Sequence, residues 1–257
     1  MKLVDVHCHL ESGEFTGILD RIIREARDAG IVRLITCSIT PSQWDYSREL
    51  SGLYDEVDFA IGVHPWYAVK SDRDKIELLA NAVELGAVAI GEIGLDKKIQ
   101  NSDYELQSAL FQRQLEIAKD INLPVIIHCR GAFGELAAII KKTGLPARGG
   151  IIHAFSGSAE TAEELMKLGL SFSLGGSMTY RLSNKRLKMI EKIYPEHFML
   201  ESDSPDIPPV SVKEGPNLPS YIIHSLRAAA QILNVSEEEI AEHTTANAAR
   251  IFNLRIE

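Results

Sequence analysis

Val4-Asp5-Val6-His7-Cys8-His9 opens the chain with a short apolar, β-branched run that carries two histidines two residues apart. Residues i and i+2 of a strand point to the same face, so His7 and His9 can aim their imidazoles at one point. A shared metal ion is the usual reason for such a pair. The same pattern, an apolar run ending in a polar group, recurs down the chain. Runs at 2–6, 32–38, 57–63, 88–93, 124–129, 150–154, 170–174 and 198–201 read as strands, mostly continuous and apolar as strands buried on both faces should be. Amphipathic helical runs separate them. The stretch 16–29 has Ile18, Leu19, Ile22, Ile23 and Ala26 on one stripe, with Gly30 placed to end it, and 103–121 repeats the pattern. Thr161-Ala-Glu-Glu164 resembles a capping box in the helix that Gly169 ends. Two more helices follow, from Asn217 onward and over 236–252, the latter opened by the box Ser236-Glu-Glu-Glu239.

Strict alternation of strand and helix points to an α/β fold, a (β/α)8 TIM-type barrel with an extra C-terminal helix. The alternative, a doubly wound open sheet, would more often show a glycine-rich phosphate loop after its first strand, and Gly13 and Gly17 do not make one. No linker or low-complexity tract divides the chain, so a single domain over 1–257 is expected. The proline-rich stretch 206–220 reads as a long loop after the last strand.

The 257 residues are typical in number for such a barrel, and an apolar content of 45% can fill its core. Three widely spaced cysteines, Cys8, Cys37 and Cys129, make no disulfide framework, which favours a reducing compartment. No apolar stretch approaches a membrane span, and the opening residues carry no apolar or arginine-rich leader, so cytoplasm is the expectation. A net charge of −9 argues against non-specific coating of nucleic acid. It does not exclude a nuclease, because bound divalent ions would invert the local field of an acidic site.

Five of the eight histidines, His7, His9, His64, His128 and His153, fall at strand ends, together with Glu92 and Asp203. His197 precedes a strand, and His224 and His243 lie in helical runs. In a parallel barrel the C-terminal strand ends converge on one mouth. A lone strand-end histidine is weak evidence, but this many at matching positions is not. Five imidazoles and two carboxylates exceed the needs of one tetrahedral zinc and suit two divalent ions about 3.5–4 Å apart. Glu92 has the reach to bridge them. Asp203 can bind one ion and take a proton from the attacking water. His64, followed by Pro65, suits a substrate contact as well as a metal. Imidazoles favour zinc, iron or cobalt, and carboxylates admit manganese and magnesium. Cys8 and Cys129 have the opposite parity and should face the helices. Asp5 has ligand parity one step deeper, either orienting a histidine or serving as a buried acid with another partner. Lys97-Lys98 and Lys185-Arg186-Lys188 read as solvated faces, and Trp44 and Trp66 as packing or rim residues.

Read in order, several motifs resemble the TatD family of metal-dependent deoxyribonucleases, within the amidohydrolase-like barrels. They are Asp5-Val-His7-Cys-His9-Leu, Gly62-Val-His64-Pro65, Gly91-Glu92-Ile-Gly-Leu-Asp96, Phe111-Gln-Arg-Gln-Leu115, Pro124-Val-Ile-Ile-His128-Cys-Arg130, His153-Ala-Phe-Ser-Gly157, Glu201-Ser-Asp203-Ser-Pro205 and Thr244-Thr-Ala-Asn247-Ala. The resemblance implies a two-metal barrel in which His7, His9, Glu92 and Asp203 hold one ion and Glu92, His128 and His153 the other. It also implies phosphodiester hydrolysis on DNA, often from single-stranded ends, with Arg130 and His64 steadying the phosphate. Two departures fall outside the ligand positions. Lys97 stands where the family has an aromatic residue, and Pro216-Asn217-Leu218-Pro219 where it reads Arg-Asn-Glu-Pro. They leave open a small phosphoester, ester or amide as substrate. A non-catalytic partner-binding barrel would show a damaged ligand set, and this set is complete. No obligate protein partner is indicated.

Overall fold

The computed structural model describes residues 1–100 and 102–256. Eight parallel strands stand in chain order around a barrel: β1 (Leu3–Cys8), β2 (Ile31–Cys37), β3 (Val57–Ile61), β4 (Ala89–Asp96), β5 (Val125–Arg130), β6 (Gly150–Ile152), β7 (Leu170–Leu174) and β8 (Phe198–Leu200). Helices fill the crossovers outside, which is the TIM-type arrangement expected from the alternation.

Two apolar layers hold the barrel. Val4, Val6, Ile35, Ile126, Ile151 and Met199 meet in its interior, and the last helix, Glu237–Phe252, closes the base of that interior with Ala248, Ile251 and Phe252. Outward residues such as Leu34, Phe59, Ile127 and Phe172 pack against the helices in a second, larger cluster, which also takes Cys8 and Cys129. All three cysteines are free and buried. No helix among the described residues is long and apolar enough to cross a membrane.

β1 does not alternate cleanly. Val4 and Val6 face the interior, yet so does His7, because the β1–β2 pairing shifts register between Asp5 and Cys8. Asp5 therefore does not share the histidines' face, and it orients no imidazole. Its carboxylate accepts the Ser202 N–H at 2.9 Å and the Ser202 hydroxyl, and burial raises its pKa to about 7 against those bonds. Among the described residues no strand ladder joins β8 to β1. Asp5 stands in for it, along with the Asp203 N–H donating to the His7 carbonyl at 3.0 Å and the His9 N–H to the Ser204 carbonyl at 2.7 Å.

Helix boundaries differ from the sequence expectation where caps decide them. The first helix runs Leu19–Asp28, with Gly30 at φ +88° just beyond it. Ser158, not Thr161, caps the helix Ala159–Met166, its hydroxyl accepting the Thr161 N–H. Ser236 caps the last helix as expected, but Glu239 binds the Tyr194 hydroxyl at 2.7 Å instead of completing the box. The helix anticipated from Asn217 begins only at Ile222, after a single turn at Pro219–Tyr221. Asn217 instead locks the loop that follows β8, donating to the carbonyls of Ser202 at 2.6 Å and Asp206 at 2.7 Å. A side chain that satisfies loop carbonyls is not free to start a helix.

Candidate metal centre

The strand ends deliver the seven polar residues to one place. Glu92 rises from mid-β4 and stands at the centre. Its Oε1 lies 2.8 Å from His153 Nε2, 3.1 Å from His64 Nε2 and 3.2 Å from His128 Nδ1. Its Oε2 lies 3.5 Å from His7 Nε2 and 3.6 Å from His9 Nε2. Asp203 Oδ1 closes the other side, 3.4 Å from His7 Nε2 and 3.8 Å from His9 Nε2. Gly94, between Glu92 and Asp96, lies at φ +144°, and a Cβ there would collide with the His128 carbonyl, so β4 and β5 can approach this closely only with glycine. Asp203 holds φ +56°, a left-handed conformation costing roughly 1–3 kcal/mol. Its N–H on His7 and its carbonyl, which accepts the Asp206 N–H at 2.7 Å, keep it there.

Outer hydrogen bonds decide what each imidazole presents inward. His9 Nδ1 faces the Cys37 carbonyl at 2.8 Å, so that nitrogen carries a proton, and in the neutral ring Nε2 is the lone pair on the side of Glu92 and Asp203. His128 Nε2 lies 3.0 Å from Asp96 Oδ2, which leaves Nδ1 as the inward lone pair when the ring is neutral. This carboxylate–histidine pairing is the usual support of a metal-binding imidazole. His64 is the reverse. Its Nδ1 accepts the Trp66 N–H at 3.1 Å, so Nε2 carries a proton and donates it to Glu92. His7 is wholly buried, stacked on His153 at 4.0 Å, and neither of its ring nitrogens has a hydrogen-bond partner among the described residues. Orphaned buried nitrogens are costly unless something ligates them. A cation fits that demand, and burial, holding His7 down to about 4, keeps its lone pair available.

The field around the cluster calls for positive charge. Burial opposes charge on His9 and His153, yet Glu11, Glu92 and Asp203 raise His9 to about 10, and Glu92 and Asp203 raise His153 to about 9. At Glu92, burial is outweighed by His64, His153, His7 and His128, which hold it well below the usual carboxylate range. Protonated histidines thus supply, without metal, the charge that divalent ions would supply. Three groups have ligand atoms within 4.8 Å of one another: His7-His9-Glu92, His7-His153-Asp203 and His64-Glu92-His128. They overlap the two ligand sets expected from the sequence. They also put His64 as near Glu92 as His128, and the tautomers separate the two.

Neighbours that the sequence reading left without a role complete the centre. Asp96 is fully buried at the end of β4 and gathers His128, the Trp66 indole N–H at 2.6 Å and the Lys98 N–H at 2.7 Å. Its parity with Glu92 was legible, but the strand was expected to stop at 93. Glu201 has the parity of Asp203; it takes the Ser173 hydroxyl and the Ala154 N–H at 2.8 Å, steadying the loop that carries His153. Glu11 accepts the Thr36 hydroxyl beside His9. Above them opens a cavity of about 680 Å³ whose wall includes Trp66, Arg130, Ser177 and Arg186. Arg130 is exposed at the mouth, 3.6 Å from Asp96 and over the Trp66 ring. Trp66 is a rim residue, whereas Trp44 packs with its indole N–H on the Gly62 carbonyl at 3.0 Å. Lys97 pairs with Glu135 at the surface. Arg186, expected to be solvated with its basic neighbours, is half-buried in the cavity wall. It sits in the first turn of the helix Asn184–Ile193, which turns this one member of the basic run inward.

Comparison with known proteins agrees with this geometry. A family model described as TatD related DNase matches residues 4–253. The metal-dependent hydrolase YabD of Bacillus subtilis is 34% identical over 98% of this chain and 99% of its own. The crystal structure of YjjV, a TatD homologue from Escherichia coli K12, superposes with a TM-score of 0.93 at 31% identity, covering 98% of each chain. A TatD family hydrolase from Entamoeba histolytica, at 22% identity and 98% coverage of each chain, shares the fold with a TM-score of 0.84. A barrel of this topology, a mouth of histidines and carboxylates able to hold metal, and sequence similarity along nearly its whole length make the chain a member of the TatD family of metal-dependent hydrolases.

Proposed function

We propose that this hydrolase uses two divalent ions to cleave phosphodiester bonds in DNA, acting on single-stranded ends. The observation that carries the reading is the opposed outer bonding of imidazoles around Glu92: His9 and His128 face outer acceptors, so their inner nitrogens are lone pairs in the neutral ring, whereas His64 accepts an outer N–H and turns a proton inward. Lone pairs suit ions, and an N–H suits a substrate oxygen. In this reading His7, His9, Glu92 and Asp203 hold one ion, and Glu92, His128 and His153 hold the other. Zinc, manganese and magnesium are the candidates for this mixed donor set. Bound ions would supply Lewis-acid polarisation of the phosphoryl oxygen and acidification of water. Asp203 accepts the proton of the attacking water. The neighbouring histidines outweigh burial and keep its carboxyl below the usual range, so it is ionised for that task. His64 Nε2–H and the Arg130 guanidinium steady the phosphate. The family's description as DNases supports DNA over other diesters. We place the enzyme in the cytoplasm on its three free, buried cysteines.

A second reading, hydrolysis of a small phosphoester, ester or amide, has one observation behind it. The cavity of about 680 Å³ is the size of a small-molecule site. The deciding experiment incubates protein loaded with zinc, manganese or magnesium with end-labelled single-stranded DNA and with a panel of phosphomonoesters, lactones and amides. Elemental analysis should return about two ions per chain. Stepwise release of nucleotides, abolished in Glu92→Ala, is expected. DNA left intact while a panel member is hydrolysed would transfer the assignment to the second reading.

A further inference from the structure

Arg186 is the one buried-side cation of the cavity wall that the proposed mechanism does not use. Its Nε is buried without a hydrogen-bond partner among the described residues, and one Nη donates to the Ser177 hydroxyl at 2.8 Å. Arg130, the other arginine of the wall, has Asp96 beside it and an aromatic ring beneath it. For Arg186, by contrast, no carboxylate lies within ion-pair distance among the described residues. Glu201, whose negative charge acts on Arg186, has its oxygens on Ser173 and Ala154. Taking a guanidinium partly out of water without a carboxylate is unfavourable. In a chain of net charge −9, acidic partners are abundant, so the vacancy is specific to this position. A guanidinium fork anchored at one corner and open at the others is suited to a phosphate.

Position gives the fork its meaning. Ser177 and Arg186 follow β7, and Trp66 follows β3. In a ring of eight strands these lie on opposite sides of the axis, with Glu92 and Asp203 between them. We infer that Arg186 and Ser177 form an anion subsite for a second phosphate of the substrate, one group removed from the scissile phosphate at the metal centre. The preferred substrates are then nucleotides carrying at least two phosphates, not isolated phosphoesters. This inference rests on the phosphodiesterase reading for the identity of the first phosphate, but the subsite can be tested without turnover.

Calorimetric titration of metal-loaded wild type, Arg186→Met and Arg186→Lys with thymidine 3′,5′-bisphosphate and with each thymidine monophosphate measures it directly. Circular dichroism confirms that the variants are folded. Wild type should bind the bisphosphate at least tenfold more tightly than either monophosphate. The gap should fall below threefold in Arg186→Met and be partly restored in Arg186→Lys. A general loss of stability would not move this ratio. A gap that is absent in wild type, or unchanged in Arg186→Met, overturns the subsite. Hydrolysis of bis(p-nitrophenyl) phosphate by wild type, run in parallel, tests the parent reading. Cleavage with an Arg186-independent gap leaves that reading standing and removes the subsite. An Arg186-dependent gap with no cleavage of any diester does the reverse.

Discussion

The two ends of the barrel are built from the same strands and obey different physics. At the base, Val4, Ile126, Ile151 and Met199 meet Ala248, Ile251 and Phe252 of the last helix in a closed apolar layer. Every group there gains from burial. At the mouth the next inward residues are His7, His128, His153 and Asp203, which bury polar atoms, orphan the His7 ring nitrogens and hold Asp203 in a left-handed conformation. Burial costs free energy there unless a ligand compensates. One end of the barrel stabilises the fold, and the other spends stability on a site.

The sharpest break between the ends should come from removing a mouth carboxylate. Glu92→Ala or Asp203→Ala is expected to lower kcat/KM by about a thousandfold or more while lowering the metal-free melting temperature less than a truncation in the apolar base does. Kinetics and scanning calorimetry on the same preparations check this, and a large loss of stability would erase the contrast. At the base the expectation is inverted. Phe252→Ala should cost roughly 3–5 kcal/mol in urea unfolding with activity at 25 °C within about twofold of the parent. A collapse of kcat in a still-folded protein would show that the ends are coupled.

Asp96→Asn probes the boundary between the regimes, since Asp96 binds His128 and not the substrate. Metal affinity should fall roughly 10–100-fold, seen in competition with a chelator, and excess metal should restore turnover. The smallest expected effect is a pH dependence confined to the mouth. His9 and His153, raised to about 10 and about 9, stabilise the metal-free fold fully below their unfolded pKa of about 6.5. That contribution is lost as pH climbs through 9 to 10. Metal-free protein should therefore melt at progressively lower temperature from pH 7 to pH 10. Metal-loaded protein, whose histidines are already deprotonated, should show a flatter curve and tighter metal binding as pH rises. Parallel curves for the two forms would contradict the arrangement.

Much of this was open to reading along the chain. Continuous apolar runs, interrupted by helical stripes, are local patterns, and they marked all eight strands because strands buried on both faces leave little choice of residue. His128, His153 and Asp203 follow inward-facing residues at strand ends, so parity with Ile126, Ile151 and Met199 placed them. Parity misplaced Asp5, because the register shift in β1 depends on how β2 pairs with it. Charge alone misplaced Arg186, whose basic neighbours look alike in sequence and are sorted only by the rotation of their helix against the barrel.

Residue order by itself determined the class of fold and the identity of the chemistry-bearing groups, since hydrophobic periodicity and side-chain type are properties of the chain alone. Tertiary structure decided which nitrogen of each histidine faces the centre, that Asp5 closes the seam between first and last strands, and that Asp96 supports His128. Apart from His64, whose partner Trp66 is two residues away, those outcomes rest on hydrogen bonds between residues 28 to 197 positions apart, and no local pattern specifies a partner at that distance.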